Sequence, residues 1–133
     1  NMDADPHAAD ALSKSGLPII MVPWSETCSA GLYPPDNLPE GMFSSLLRLL
    51  GQRERLPLEA PLVLNHALAV LYAAGADGFE TKKHIIRIET RSTLCMGRTC
   101  PNLMYSLKKD PPNMTVVRHI DADRVQEKID SCY

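Results

Sequence analysis

Aromatic side chains are scarce in this chain: two Phe, four Tyr and one Trp among 133 residues. A core built on ring stacking is therefore excluded, and aliphatic side chains must supply most of the burial. Basic residues do not exceed acidic ones (14 against 16), and no basic block occurs. Neither nucleic acid nor an anionic membrane surface is thus indicated as a partner. No apolar run reaches the roughly 18–20 residues of a membrane span. Four cysteines (Cys28, Cys95, Cys100, Cys132) are too few and too scattered for a disulfide-framework mini-protein. Cys95 and Cys100 are spaced more widely than the pair of a redox or zinc CxxC motif, so free thiols are expected, with a disulfide as the alternative. Also lacking are a phosphate-cradling glycine loop, HExxH, a nucleophile elbow, and an aspartate cluster fit for a divalent metal. The opening shows neither an initiator Met nor a basic-then-apolar leader, so a processed or truncated chain is expected.

What is present looks like an ordinary globular chain, with 44% hydrophobic and 23% charged residues, long enough for one domain spanning 1–133. Asp5 and Pro6 open a helix that Gly16 closes, an N-cap, a first-turn proline and a C-terminal stop. Pro18, Ile19, Ile20, Met21, Val22 and Pro23 then form a short apolar run of the kind found in strands buried on both faces. Helix, glycine turn and buried strand together predict an α/β architecture, an open and mostly parallel (Rossmann-like) sheet with flanking helices. Ligands of such sheets bind at the carboxyl ends of strands, here the stretch from Pro23 through Trp24 to Cys28. Trp24 is placed there either to stack on a flat ligand or to join a core or interface.

Residues 39–51 read as an amphipathic helix with Met42, Phe43, Leu46, Leu47 and Leu50 on one stripe. Residues 61–83 hold the longest apolar stretch, with almost no polar face, so a helix buried on most sides is expected, stopped by Gly75. Asn65 and His66 lie at its head and need partners if buried, because an unpaired buried polar group costs about 1–3 kcal/mol. Strands are expected over 84–90 and 114–120, with a strand or hairpin over 94–107 interrupted by Gly97 and Pro101. Asp110, Pro111, Pro112 and Asn113 read as a turn, and Asp121 or Asp123 caps a final helix through Ile129. The triplet Asn113, Met114, Thr115 fits a glycosylation sequon. The four histidines are dispersed and read as surface or satisfied core residues rather than ligands.

In chain order, these pieces resemble a known family. The segment NMDADPHAA at 1–9 resembles the N-x-x-x-D-P-x-A-A segment of the nucleoside hydrolases. GLPIIMVP at 16–23 followed by Thr27 is similar to that family's next strand and D-V-T-H loop. Residues 64–83 resemble its H-D-P-L-A-V-A-Y segment with a downstream F-E-T-K, and 84–97 its V-E-T…G strand pair. The likeness covers the whole chain but corresponds to the C-terminal part of a family member. It implies an open α/β fold and hydrolysis of ribonucleoside N-glycosidic bonds, with a calcium ion that binds the ribose diol and activates a water.

Carried over residue by residue, the resemblance puts Asn1 on the ribose-contacting Asn, Asn65 on the leaving-group His, and His66 on a metal-ligating Asp. Ala67 replaces the Pro, and Ser25 and Cys28 replace the Asp and His of the loop, which keeps Thr27. A neutral amide is no general acid near neutral pH, and imidazole is a poor ligand for a hard cation that prefers oxygen. The expectation is therefore a non-catalytic nucleoside hydrolase-like chain with no cofactor, acting as a structural or interaction subunit whose partial fold other protein chains complete. The alternative is the C-terminal part of a working calcium-dependent hydrolase whose metal loop lies on another segment or chain. A weaker third is a nucleoside-binding module without turnover.

Overall fold

The computed structural model describes residues 2–32, 65–101 and 110–131. Within these the architecture is α/β, with four helices and five strands among the described residues. The elements are α1 (Pro6–Ser13), β1 (Ile20–Met21), α2 (Trp24–Ala30), α3 (Asn65–Ala73), β2 (Phe79–His84), β3 (Ile86–Ile88), β4 (Thr99–Pro101), β5 (Met114–Ile120) and α4 (Ala122–Asp130). One sheet has the order β1-β5-β2, with β1 parallel to β5, and β3 pairs with β4 antiparallel. The strands are thus mixed in direction. The helix expected over 39–51 lies outside the described residues.

Contacts divide the chain into two compact units. The first comprises Asn1–Met21 and Thr81–Val117. Asp5 caps α1 as its sequence position dictates, its carboxylate accepting the Ala8 amide at 2.9 Å, and Pro6 occupies the first turn. Ile86, Ile88, Met114 and Val116 form the aliphatic core of this unit, with Met2, Ala9, Ile19 and Met21 packed against it. The alternation of β3, buried–exposed–buried, puts Ile86 and Ile88 on that core and Arg87 outside it, where it pairs with Asp110 at 2.7 Å. Both partners are about half exposed, so the pair contributes little to stability, about 0–1 kcal/mol.

Two expectations are corrected in this unit and a third is met as far as the described residues reach. The buried strand over 18–23 shrinks to two residues, and Ile20 is 51% exposed because β1 lies at the sheet edge and no other strand flanks it among the described residues. The single strand expected over 84–90 is two, β2 starting at Phe79 and β3 at Ile86. The break comes at Ile85, where Asn113 inserts its side chain and takes the Ile86 amide. Of the hairpin expected over 94–107, the turn at Gly97 and the strand at Thr99–Pro101 are formed, and residues 102–109 lie outside the described set.

The second unit comprises Val22–Glu80 and Arg118–Tyr133. Helix α2 stands where a ligand-binding loop was expected, and α3 packs against it. Helix α3 ends as its glycine predicts: Gly75 has φ +79°, and the amides of Gly75 and Ala76 bond back to Tyr72 and Leu71, each at 3.0 Å. Its burial is the reverse of the expectation. Leu68 is fully buried, yet Val70 is 67% exposed and Ala69 and Ala73 also face solvent. A sequence apolar all round records what a helix is able to bury, and only one side of this one has neighbours among the described residues. Tyr72 meets Phe79 edge to face, centroids 5.4 Å apart. Helix α4 is capped by Asp121, whose carboxylate accepts the Arg124 amide at 3.2 Å, and Val125 is its buried residue.

Candidate functional site

The described residues that family resemblance singles out fall on two helices that pack against each other, α2 and α3. Asn65 begins α3, and His66 follows on the first turn with its side chain exposed to solvent. Asn1 lies outside the described residues. Ser25, Thr27 and Cys28 all sit on α2, which Pro23 precedes in extended conformation. Thr27 is buried, and its hydroxyl donates to the carbonyl of Trp24 at 2.8 Å, so the helix's own backbone satisfies it. Trp24 itself is 72% exposed and belongs to no core among the described residues.

Calcium wants several carboxylate or carbonyl oxygens converging at about 2.3–2.6 Å. Among the described residues no three His, Cys, Asp or Glu side chains gather in a metal-binding group. His66 offers a solvent-facing imidazole. The described residues therefore do not fit a calcium site. Cys28, Cys95 and Cys100 are free thiols, and Cys132 lies outside the described residues.

Two polar side chains organise the first unit, one that the sequence marked only as a turn and sequon residue and one that it did not mark. Asn113 is half-buried and fully engaged: its Nδ2 donates to the carbonyls of Ser13 (3.0 Å) and Ile86 (2.9 Å), and its Oδ1 accepts the Ile86 amide at 2.7 Å. It ties the end of α1, 100 residues before it in the chain, to the start of β3. A glycan on the sequon would attach at that same Nδ2, so glycosylation and this set of bonds exclude each other. The sequence cue to its structural role was a polar residue set between two prolines and a buried strand. Glu89 is the second. Its Oε1 accepts the amides of Arg91 (2.7 Å) and Ser92 (2.9 Å), and those bonds hold its carboxyl below the usual glutamate value. The loop it orders returns at Gly97, whose amide donates to the Glu89 carbonyl at 2.8 Å. Gly97 has φ +79°, and a side chain there would meet the Asp3 backbone at 2.7 Å.

A groove of about 570 Å³ lies in this unit, lined among others by Lys14, Leu17, Lys83, Arg87, Asp110 and Pro112. Its walls include the residues just before β1 and the residues leading into β5, so it lies at the amino ends of the parallel pair. Sites in open α/β sheets form at the carboxyl ends. None of the residues carried over from the family lines it.

Comparison with known proteins settles the class. A model of the inosine-uridine preferring nucleoside hydrolase family matches residues 1–127, nearly the whole chain. The chain belongs to that family. It is similar to a probable ribonucleoside hydrolase of Dictyostelium discoideum, 28% identical over 155 residues covering 100% of this chain and 44% of the relative. It is also similar to the pyrimidine-specific ribonucleoside hydrolase RihB of Shigella sonnei, 29% identical over 143 residues covering 99% of this chain and 45% of the relative. The RihB protein of Escherichia coli O157:H7 matches to the same extent. The chain thus spans a little under half the length of these relatives.

Proposed function

We propose that this chain is a nucleoside hydrolase-like protein that does not itself cleave N-glycosidic bonds, and that it serves as a structural or interaction subunit of a larger assembly. What supports the reading is the pair at the head of α3, Asn65 and His66, which the resemblance sets on the family's His and Asp. Protonating a departing base requires a group that can release a proton, and a carboxamide has none to give near neutral pH. Holding calcium requires hard oxygen donors, and an exposed imidazole is not one. Other protein chains, completing or covering the partial fold, are the partners of this reading.

A second reading has its own support: the relatives are named ribonucleoside hydrolases and are about twice as long. On that reading the chain is the C-terminal part of an active calcium-dependent enzyme, with the metal loop on another segment or chain. The test is release of free base from inosine and uridine by the 133-residue chain in the presence and absence of calcium. No release above the uncatalysed rate is expected. Calcium-dependent release would overturn the non-catalytic reading.

A further inference from the structure

The groove at the amino ends of β1 and β5 plays no part in the family chemistry, yet its walls are fastened. Its volume of about 570 Å³ falls in the range of small-molecule pockets, roughly 300–1,000 Å³. Asn113 lines it and bonds through its side chain to Ser13 and Ile86, while its amide donates to the His84 carbonyl at 3.2 Å. The end of α1, the junction of β2 with β3 and the turn before β5 are thereby held together. Pro18, Pro111 and Pro112 line it as well, and each ring fixes its own φ. A groove held this way needs little ordering to receive a ligand.

The lining is mostly apolar, with Leu17, Ile19, Ile85 and Met114 beside the prolines. Met114 is buried, but Leu17 is 59% exposed and free to be covered. Three cations, Lys14, Lys83 and Arg87, share the lining with a single acid, Asp110. Two of the three are already neutralised: Lys14 pairs with Asp10 on α1, and Arg87 with Asp110 at 2.7 Å. Lys83 forms no ion pair among the described residues. One positive charge is thus left over beside an aliphatic wall.

We propose that this groove binds a small amphipathic monoanion, a carboxylate on an aliphatic chain, with the carboxylate at Lys83 and the chain against Leu17, Ile19 and Ile85. The count of charges selects the headgroup. A carboxylate carries one negative charge at neutral pH, whereas a phosphate ester carries about −1.5 to −2 and calls for a second unpaired cation. An exposed ion pair contributes little alone, so the apolar wall must supply most of the affinity. A fully buried methylene is worth about fourfold in binding, which makes chain length a second selector. The residues carried over from the family lie elsewhere, so the site is separate from base release.

The test titrates the full 133-residue chain with octanoate, below its aggregation concentration, and follows the methyl signals by NMR. Saturable shifts of Leu17, Ile19 and Ile85 are expected. Acetate should bind at least tenfold more weakly, and octylamine, a cation at neutral pH, at least fivefold more weakly than octanoate. Lys83→Met keeps the apolar stem and removes the charge; a loss of at least threefold is expected, with recovery to within twofold in Lys83→Arg. Lys82→Met, on the same strand but outside the groove, leaves affinity within twofold of the parent and so separates a local pair from net charge. The Asn113 amide should keep its protection from exchange in all three variants, and the comparison of octanoate with octylamine decides on the parent chain alone. The inference is overturned by the absence of saturable shifts or by shifts confined to methyls outside the groove. Acetate or octylamine binding as tightly as octanoate overturns it too, as do octyl phosphate binding more tightly and equal losses in Lys83→Met and Lys82→Met.

Discussion

Replacing Asn113 by Ala tests the claim that one side chain fastens the first unit. The substitution deletes three hydrogen bonds, two donated by Nδ2 to Ser13 and Ile86 and one accepted by Oδ1 from Ile86. At about 0.5–1.5 kcal/mol net for each bond the loss lies between roughly 1.5 and 4.5 kcal/mol. Ser13 is almost fully buried while Asn113 is only half so, which lets water replace part of what is lost. A destabilisation of about 2–3 kcal/mol follows. The unit's own amides give the cleanest readout, because the chain's two units need not open together. Amides of the β1–β5 ladder, Thr115 among them, should exchange about 30- to 150-fold faster in the variant, since 1.4 kcal/mol is tenfold. Asn113→Asp is the control. It keeps the acceptor for the Ile86 amide but turns a carboxylate toward two carbonyl oxygens. That group's pKa is raised by its setting, so the variant's stability recovers as pH falls through it. Exchange in Asn113→Ala within threefold of the parent would refute the reasoning.

Two further perturbations follow from the loop that Glu89 orders. Gly97→Ala must hold φ +79° and also push against the Asp3 backbone, whereas Gly75→Ala meets the same φ with nothing within 4 Å. Denaturant titration should show a loss of about 1–2 kcal/mol for Gly75→Ala and a clearly larger one for Gly97→Ala; equal losses would mean the Asp3 contact yields freely. For Glu89 the depressed carboxyl pKa fixes the sign. Its contribution is complete above the unfolded glutamate value and is lost as pH falls through the lower folded one. Exchange at Arg91 and Ser92 followed by NMR should show protection that is steady from neutral pH and fades only below the ordinary glutamate range. Glu89→Gln should be less protected and flat over the same span, and an unchanged profile would remove the carboxylate from its assigned role.

Local chemistry was enough wherever an element is made by its own residues. The Asp5 cap with Pro6 behind it, the Gly75 stop, the β5 strand over Met114–Ile120 and the Asp121 cap of α4 all stand where composition put them. Each depends on groups within a few residues, so sequence spacing determines it. The family was legible for the same reason, as ordered short motifs. Burial was not. The apolar run of α3 and that of β1 record a capacity to be covered, and only the placement of neighbours decided that Val70 and Ile20 face solvent. Nor could spacing bring Asn113 to Ser13 across 100 residues, or Gly97 to Asp3. The sequence by itself determined the helix caps and stops, the β5 strand and the family. Which side chains bridge distant segments, and which apolar faces remain open, was decided by tertiary packing, because contact between residues far apart in the chain depends on the path of everything between them.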